Sequence, residues 1–418
     1  MPRVCFYGDD LTGSTDALAN FARFGLSVRL VFDATAARRV AGEVDVVGVA
    51  GTARSLPTPA LEHELAPVFE TFAELAPQLV QYKICSTFDS SLERGSIGRA
   101  CELGRACFGA GAIPVLAAQP DLGRWTIFSN HFARAFDGAV YRLDRHPTMS
   151  RHPVTPMGEA DLRVVLRSQG GLAVAALHLG ELGELGDAVG RHDGPLVIDA
   201  LDNDHLRLVG ARLVELVPPG GICFCVGSGG LSYALASAYG GGELDTTPPF
   251  ETGPVLVVSG SCSPDTARQI DAAGDAGWTA LDLFADTTTN VTSRACKELS
   301  AGRSVVVHSA LGAPDAGRDG SSIGGRLGDL ALATLTESRA RRLVVAGGDT
   351  AGAVMRVLGG DGLDYAGSFG AGPIGGSLAV CTLRSPDGPL DGLQVILKGG
   401  QLGGLTFFED LRLAGAGA

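Results

Sequence analysis

Lysine is nearly missing from this 418-residue chain: Lys83, Lys297 and Lys398 stand against 30 arginines. Such a skew is the usual mark of genomic base composition, so the total carries little, but the positions of the three survivors carry more. The net charge is −13, which argues against a nucleic-acid-binding surface, because that needs a basic stripe to displace counterions. An anionic small ligand is still allowed, since a local pocket can oppose the global sign. Aromatic residues make up only 6%. The nine cysteines are odd in number and none is spaced C-x-x-C. That excludes a disulfide framework and a zinc ribbon, and leaves small buried hydrophobes in a reducing compartment. The eight histidines form no H-x-x-x-H or H-E-x-x-H pair, so no zinc site is expected. The longest uncharged stretch, 216–242, holds eight glycines and two prolines and is no membrane span. The first residues, MPRVCFYGDD, lack the charged-then-apolar layout of a signal peptide. A soluble, cytoplasmic protein is expected.

What is abundant is glycine, 60 residues. Short β-branched runs alternate with helical patterns, and the runs are continuously apolar, as in strands buried on both faces. Runs such as 3–8, 27–33, 44–50, 79–85, 113–118, 172–178, 195–200 and 222–227 predict parallel βαβ units. The stretch 242–254, GELDTTPPFETGP, breaks the rhythm and reads as a linker. A second alternation follows, with strands at 254–260, 279–283, 304–310, 341–348, 378–384 and 394–400. The expected fold class is α/β: two Rossmann-like three-layer domains with mostly parallel sheets, 1–243 and 252–418, and an interdomain cleft as the binding place. Segment 125–160 interrupts the first domain with a hairpin and an irregular loop, which is either functional or an assembly element.

Chemistry-bearing residues gather just past the predicted strands. YGDDLTGSTDA (7–17) puts Asp9 and Asp10 at a strand's carboxyl end, the usual place for functional groups in an open α/β sheet. One of them suffices as a helix cap, so the second is left to explain. The adjacent acids do not fit a D-x-D-x-T nucleophile. Arg54 in GTARSLP (51–57) offers a planar fork to a carboxylate or phosphate, although a lone loop arginine is more often a surface residue. YKICSTFDSSLERGSIG (82–98) combines Lys83 with small hydroxyls, which suits a polyhydroxylated anion better than an ordinary turn. His152, ahead of Pro153, either packs its loop or lines a site.

In the second domain SGSCSPDTARQ (259–269), AGGDTAGAV (346–354) and LKGGQLGG (397–404) share one grammar: a strand, then glycines, and in the first two a helix. Their main-chain N–H groups can form anion-binding nests. One such turn is weak evidence; three in one domain favour a polyphosphate or nucleotide site. No G-x-x-x-x-G-K-[ST] is present, and GSGG at 227–230 is not G-x-G-x-x-G.

Taken together, DDLTG (9–13), KICSTFDSS (83–91), HPVTPM (152–157), SGSCSPDT (259–266), GGDTAGAV (347–354) and LKGGQLGG (397–404) resemble the four-carbon acid sugar kinases, two-domain enzymes that phosphorylate threonate, erythronate or 3-oxo-tetronate with ATP. The resemblance spans nearly the whole chain. It implies a first domain binding the acid through Asp9, Arg54, Lys83, Cys85, Ser86, Thr87 and His152, with Asp9 or Asp10 as general base. It implies a second domain binding ATP through Ser261, Ser263, Gly347, Gly348, Asp349, Thr350, Lys398, Gly400 and Gly403. Family members often carry Glu where Asp349 stands and S-G-N-F-G where Gly399–Gly403 stand. The KICSTFDSS form leans towards the 3-oxo-tetronate branch, and equally serves a branched acid such as 3-oxo-isoapionate. ATP and Mg²⁺ are the implied cofactors, the ion bridging phosphate oxygens with few direct protein ligands. The partners expected are a sugar acid and ATP, with neither nucleic acid nor membrane, and a homodimer left open. The rivals are a non-catalytic sugar-acid or nucleotide sensor and a dehydrogenase, the latter disfavoured by the missing dinucleotide fingerprint.

Overall fold

A computed structural model describes the chain apart from residues 136, 153, 245–246, 313–319, 371–377, 401 and 416–418. It divides into two compact units, Met1–Asp245 and Thr246–Ala418.

The first unit contains β1 (Val4–Gly8), β2 (Val28–Val31), β3 (Val46–Ala50), β4 (Leu79–Lys83), β5 (Ala112–Leu116), β6 (Arg124–Ile127), β7 (Asn130–Arg134), β8 (Val140–Arg142), β9 (Ala175–Leu177), β10 (Gly194–Ile198) and β11 (Cys223–Gly227). Its main sheet runs β2-β3-β1-β4-β11-β5-β10-β9, parallel throughout. Successive side chains of a strand point to opposite faces, and each face finds its own helices. On one, Phe6 stacks on Phe21 of helix Leu11–Ala22, beside helix Gly229–Tyr239. On the other, Tyr7, Val49 and Tyr82 join a core with Leu65, Phe69, Phe72 and Ile97, contributed by helices Leu61–Leu75 and Ile97–Phe108. Segment 124–142 forms a separate antiparallel sheet, β6-β7-β8.

The second unit contains β12 (Leu256–Ser259), β13 (Thr279–Asp282), β14 (Val305–His308), β15 (Arg342–Ala346), β16 (Gly362–Phe369), β17 (Leu378–Arg384) and β18 (Gln394–Lys398). The order is β13-β14-β12-β15-β18-β17-β16. It is parallel as far as β18, whereas β17 lies antiparallel to β18 and β16 antiparallel to β17. The α/β class with mostly parallel sheets therefore holds. Strand β16 was not expected: GLDYAGSF has two glycines, an aspartate and a half-buried pattern, so it lacks the apolar run by which buried strands are recognised. Among the described residues no helix is long and apolar enough to cross a membrane.

Arg342 opens β15 with 2% exposure. Its Nη2 donates to Leu411 O at 2.5 Å and its Nη1 to Gly253 O and Arg412 O at 3.5 Å. The guanidinium thus serves the last carbonyls of helix Phe407–Ala414, where the helix dipole favours a cation. Burial pushes its pKa down to about 10, with Glu251 opposing. Replacing Arg342 by Met leaves those carbonyls short of donors. A loss of about 2 kcal/mol is expected, the scale of buried acceptors left without donors, read as a lower urea midpoint for the second unit.

Candidate active site

In an open α/β sheet, ligands bind beyond the strand carboxyl ends, where the chain reverses its direction of winding. In the first unit that point lies between β1 and β4: the chain leaves β1 for β2 and β3 on one side, and leaves β4 for β5 on the other. Gly8 is level with both Ala50 of β3 and Lys83 of β4, so Asp9, the Gly51–Arg54 turn and Lys83 emerge side by side. Asp9 N donates to Lys83 O and Arg54 N to Asp9 O, both at 3.0 Å.

The side chains then close into one cluster. Arg54 Nε and Nη2 donate to the two oxygens of Asp9 at 3.2 and 2.6 Å, and Nη1 donates to Asp10 Oδ2 at 2.6 Å. The other oxygen of Asp10 caps helix Leu11–Ala22, accepting from Gly13 N at 2.7 Å. The helix-cap reading is thus right for Asp10 but incomplete, because the same carboxylate completes the arginine fork. Gly13 is required by proximity: a Cβ there would lie 2.6 Å from Asp10 Oδ1 and 3.1 Å from Lys83 Nζ. Lys83 Nζ donates to Ile84 O at 3.1 Å and lies 3.6 Å from Asp16 Oδ2. Asp16 in turn accepts from Gln119 Nε2. Asp16 and Gln119 escaped the sequence reading; their only signal was a place in the first helix and after the fifth strand.

Burial and charge set the protonation of this cluster. Asp9 is raised to about 6: burial raises it, Arg54 pulls it down, Asp10 pushes it up and Lys83 pulls it down. Burial opposes the charge of Arg54, but Asp10 and Asp9 outweigh it and hold the guanidinium protonated. Asp10 keeps 19% of its side chain exposed against 4% for Asp9, so it is the carboxylate more open to a ligand.

The loop after β4 continues the wall. Ser86 and Thr87 are buried and Cys85 partly so, with Cys85 Sγ 3.0 Å from Thr87 Oγ1. His131 of β7 fixes this loop. Burial pushes its pKa down to about 4, so the ring is neutral, donating from Nε2 to Ser86 O at 2.7 Å and accepting at Nδ1 from Thr126 Oγ1 at 3.0 Å. Thr126 and His131 of the interrupting segment are thereby tied to the loop after β4. His152 meets the end of the same loop: Thr155 Oγ1 donates to Asp89 and lies 2.8 Å from His152 Nδ1. Two motifs about sixty residues apart are so joined. His131 and Thr155 were not anticipated, because only the tertiary fold brings them to residues 86–89.

The second unit repeats the logic. Its winding reverses between β12 and β15, and Ser259, Ala346 and Lys398 are level across β12, β15 and β18. The three glycine-rich loops therefore share one edge. Gly260 N donates to Ala346 O and Gly347 N to Lys398 O, which bind the loops in series. They converge on Ser261: a Cβ on Gly347 would lie 3.3 Å from Ser261 N, and one on Gly400 would lie 2.8 Å from Ser261 Oγ and 2.9 Å from Ser263 Cβ. Ser263 caps helix Pro264–Asp275. Gly347, at φ 116°, opens helix Gly348–Leu358 with no side-chain cap, leaving the first-turn N–H groups of Gly348, Asp349 and Thr350 to a ligand. Asp349 is exposed and Thr350 buried. Gly403, at φ 87°, turns the third loop; Gln401 lies outside the described residues. Lys398 is fully buried, and its Nζ donates to Thr266 Oγ1, Gly399 O and Gly400 O at 3.2, 3.2 and 3.5 Å. Burial pushes its pKa down to about 7, with Asp265 opposing. It stands behind the loop.

Comparison with known proteins divides the chain into two corresponding segments. Residues 4–235 match the family described as a sugar-binding N-terminal domain, and residues 256–408 the one described as a nucleotide-binding C-terminal domain. The chain is 39% identical to a 3-oxo-isoapionate kinase of Paraburkholderia graminis, covering 99% of this chain and 95% of that one. It is 29% identical to a 3-oxo-tetronate kinase of Methylobacterium radiotolerans, covering 96% of each. The solved structure of Haemophilus influenzae protein HI1011 shares the fold, with a TM-score of 0.71 at 20% identity over 98% of this chain and all of that one.

Proposed function

The chain belongs to the four-carbon acid sugar kinase family, and on that premise we propose how this ATP-dependent sugar-acid kinase divides its work and which acid it takes. The first unit holds the acid at Asp9, Asp10, Arg54, Lys83 and the Cys85–Thr87 loop. The second receives the phosphates on the main-chain N–H groups of Gly348–Thr350, Gly400 and Gly403, beside Ser261, Ser263 and the Gly347 turn. The observation that carries this assignment is the Asp9–Arg54–Asp10 cluster beside Lys83 at the winding reversal of the first sheet.

Phosphoryl transfer needs little covalent chemistry from a protein; it needs aligned substrates and compensated charge. Asp10, held by the Gly13 amide and by Arg54, accepts the proton of the attacking terminal hydroxyl. Arg54 keeps that carboxylate oriented, and Lys83 faces the carboxylate of the acid. His152 and Thr155 hold the far wall through Asp89. Mg²⁺ belongs to the nucleotide, where it offsets phosphate charge while keeping most of its waters; Asp349, exposed in the first turn of its helix, is the carboxylate suited to that hydrated ion.

The acid we assign is a branched 3-oxo acid of the 3-oxo-isoapionate type, supported by 39% identity to such a kinase against 29% to a 3-oxo-tetronate kinase. An ADP-release screen over 3-oxo-isoapionate, 3-oxo-tetronates, threonates and erythronates tests it. The branched acid is expected to give the highest kcat/KM, and a preference for a linear acid overturns the choice. The pH profile tests the cluster. Asp9 must be ionised to hold Arg54, so kcat/KM is expected to rise as pH climbs through about 6 and to level above it. A profile flat from pH 5 to 8 contradicts that role.

A further inference from the structure

The third glycine loop of the second unit is held by its carbonyls. Thr266 Oγ1 donates to Gly400 O at 2.8 Å. Gln269 Nε2 lies 3.2, 3.0 and 2.8 Å from the carbonyl oxygens of Leu402, Gly403 and Gly404. With Lys398 Nζ on Gly399 O and Gly400 O, every described carbonyl from 399 to 404 has a side-chain donor. Thr266 and Gln269 are three residues apart on helix Pro264–Asp275, hence on one face of it, and are 0% and 2% exposed.

In a trans peptide the carbonyl of one residue and the N–H of the next point in opposite directions. Holding the carbonyls of Leu402 and Gly403 towards the helix turns the N–H groups of Gly403 and Gly404 away from it; Lys398 Nζ on Gly399 O likewise turns the Gly400 N–H away from the lysine, and Thr266 ties the Gly400 carbonyl to the helix. None of these three N–H groups has an acceptor among the described residues. A glycine-rich loop left to itself can flip its peptides and present oxygens to an anion, which would repel it. The residue type at 269 also fits: an amide donates without bringing charge. Its orientation is fixed as well, because turning it over would set Oε1 against three carbonyl oxygens. Gln269 Oε1 is itself buried with no partner, a polar cost accepted for the sake of the donor end.

We infer that Gln269 and Thr266 are positioning residues for phosphate binding. They keep the described peptides of this loop in the orientation that offers the N–H groups of Gly400, Gly403 and Gly404 to the nucleotide phosphates. The inference rests on the assignment of the nucleotide to this edge. Gln269→Leu and Thr266→Val are each expected to raise KM for ATP about tenfold, the scale of lost hydrogen bonds, with KM for the acid unchanged. Direct titration should show weaker binding of ATP and ADP but unchanged binding of adenosine, which has no phosphate to lose. Thr266→Ser should restore the wild-type values, and it keeps the test open if Gln269→Leu fails to fold. An equal loss for adenosine and ATP, or no loss for either, overturns the inference. Gly400→Val, which fills the loop directly, separates the two layers. If it abolishes ATP binding while Gln269→Leu and Thr266→Val do not, the clamp alone is wrong. If it too binds ATP normally, the nucleotide assignment falls and the inference falls with it.

Discussion

Asp10→Asn should stop phosphoryl transfer while leaving nucleotide binding intact. Asparagine caps a helix as well as aspartate does, so helix Leu11–Ala22 and the Gly13 contact survive. What is lost is the charge facing Arg54 Nη1 and the proton acceptor for the attacking hydroxyl. A fall in kcat of about 10³ is expected, within the range for a missing general base. ATP affinity by calorimetry should stay within about twofold, because the nucleotide is assigned to the N–H groups of the second unit. Asp9→Asn should behave differently. Asp9 is the buried bidentate partner of Arg54, and its neutralisation leaves a buried guanidinium half-compensated. Stability should drop along with activity, by about 3 kcal/mol. Equal kcat for Asp10→Asn and wild type would remove Asp10 from the chemistry, and loss of ATP affinity in that variant would contradict the division of labour between the units.

Gly347→Val should be the most damaging change in the second unit. The residue sits at φ 116°, where a β-branched side chain is strained by about 1–3 kcal/mol. Its Cβ would lie 3.0 Å from Thr350 Oγ1 and 3.3 Å from Ser261 N, inside the ring of N–H groups offered to the phosphates. KM for ATP is expected to rise by about 10² or more, on the scale of about 3 kcal/mol of lost stabilisation. Binding of the acid to the first unit should be unaffected. Retained ATP affinity in a folded Gly347→Val protein would mean that the Gly347–Thr350 turn does not face the nucleotide.

The α/β architecture and the strand-end motifs could be read from residues alone because both depend on local patterning. Buried parallel strands announce themselves as apolar runs, and the glycines and acids that follow them stand where such sheets bind ligands. Asp9, Asp10 and the Gly347 turn were visible for that reason. Arg54 was ambiguous by itself; its meaning came only when β3 was seen beside β1, which sets the guanidinium on both aspartates. Lys398 stood out as a rare lysine at a strand end, yet nothing in its neighbours told that it turns inward onto Thr266. His131, Asp16, Gln119 and Gln269 act through partners 45 to 135 residues away, a distance that no local periodicity spans. Strand β16 was missed because half-burial admits polar residues and glycine into a strand.

The proposed division of labour requires acid and nucleotide to occupy different units. Amide hydrogen exchange of the wild-type protein, with a non-hydrolysable ATP analogue and with the sugar acid added separately, reads this directly. The analogue should protect 260–263, 347–350 and 399–404, and the acid should protect 9–14 and 83–87. Protection of 9–14 and 83–87 by the analogue alone, with the three glycine loops unchanged, would contradict it.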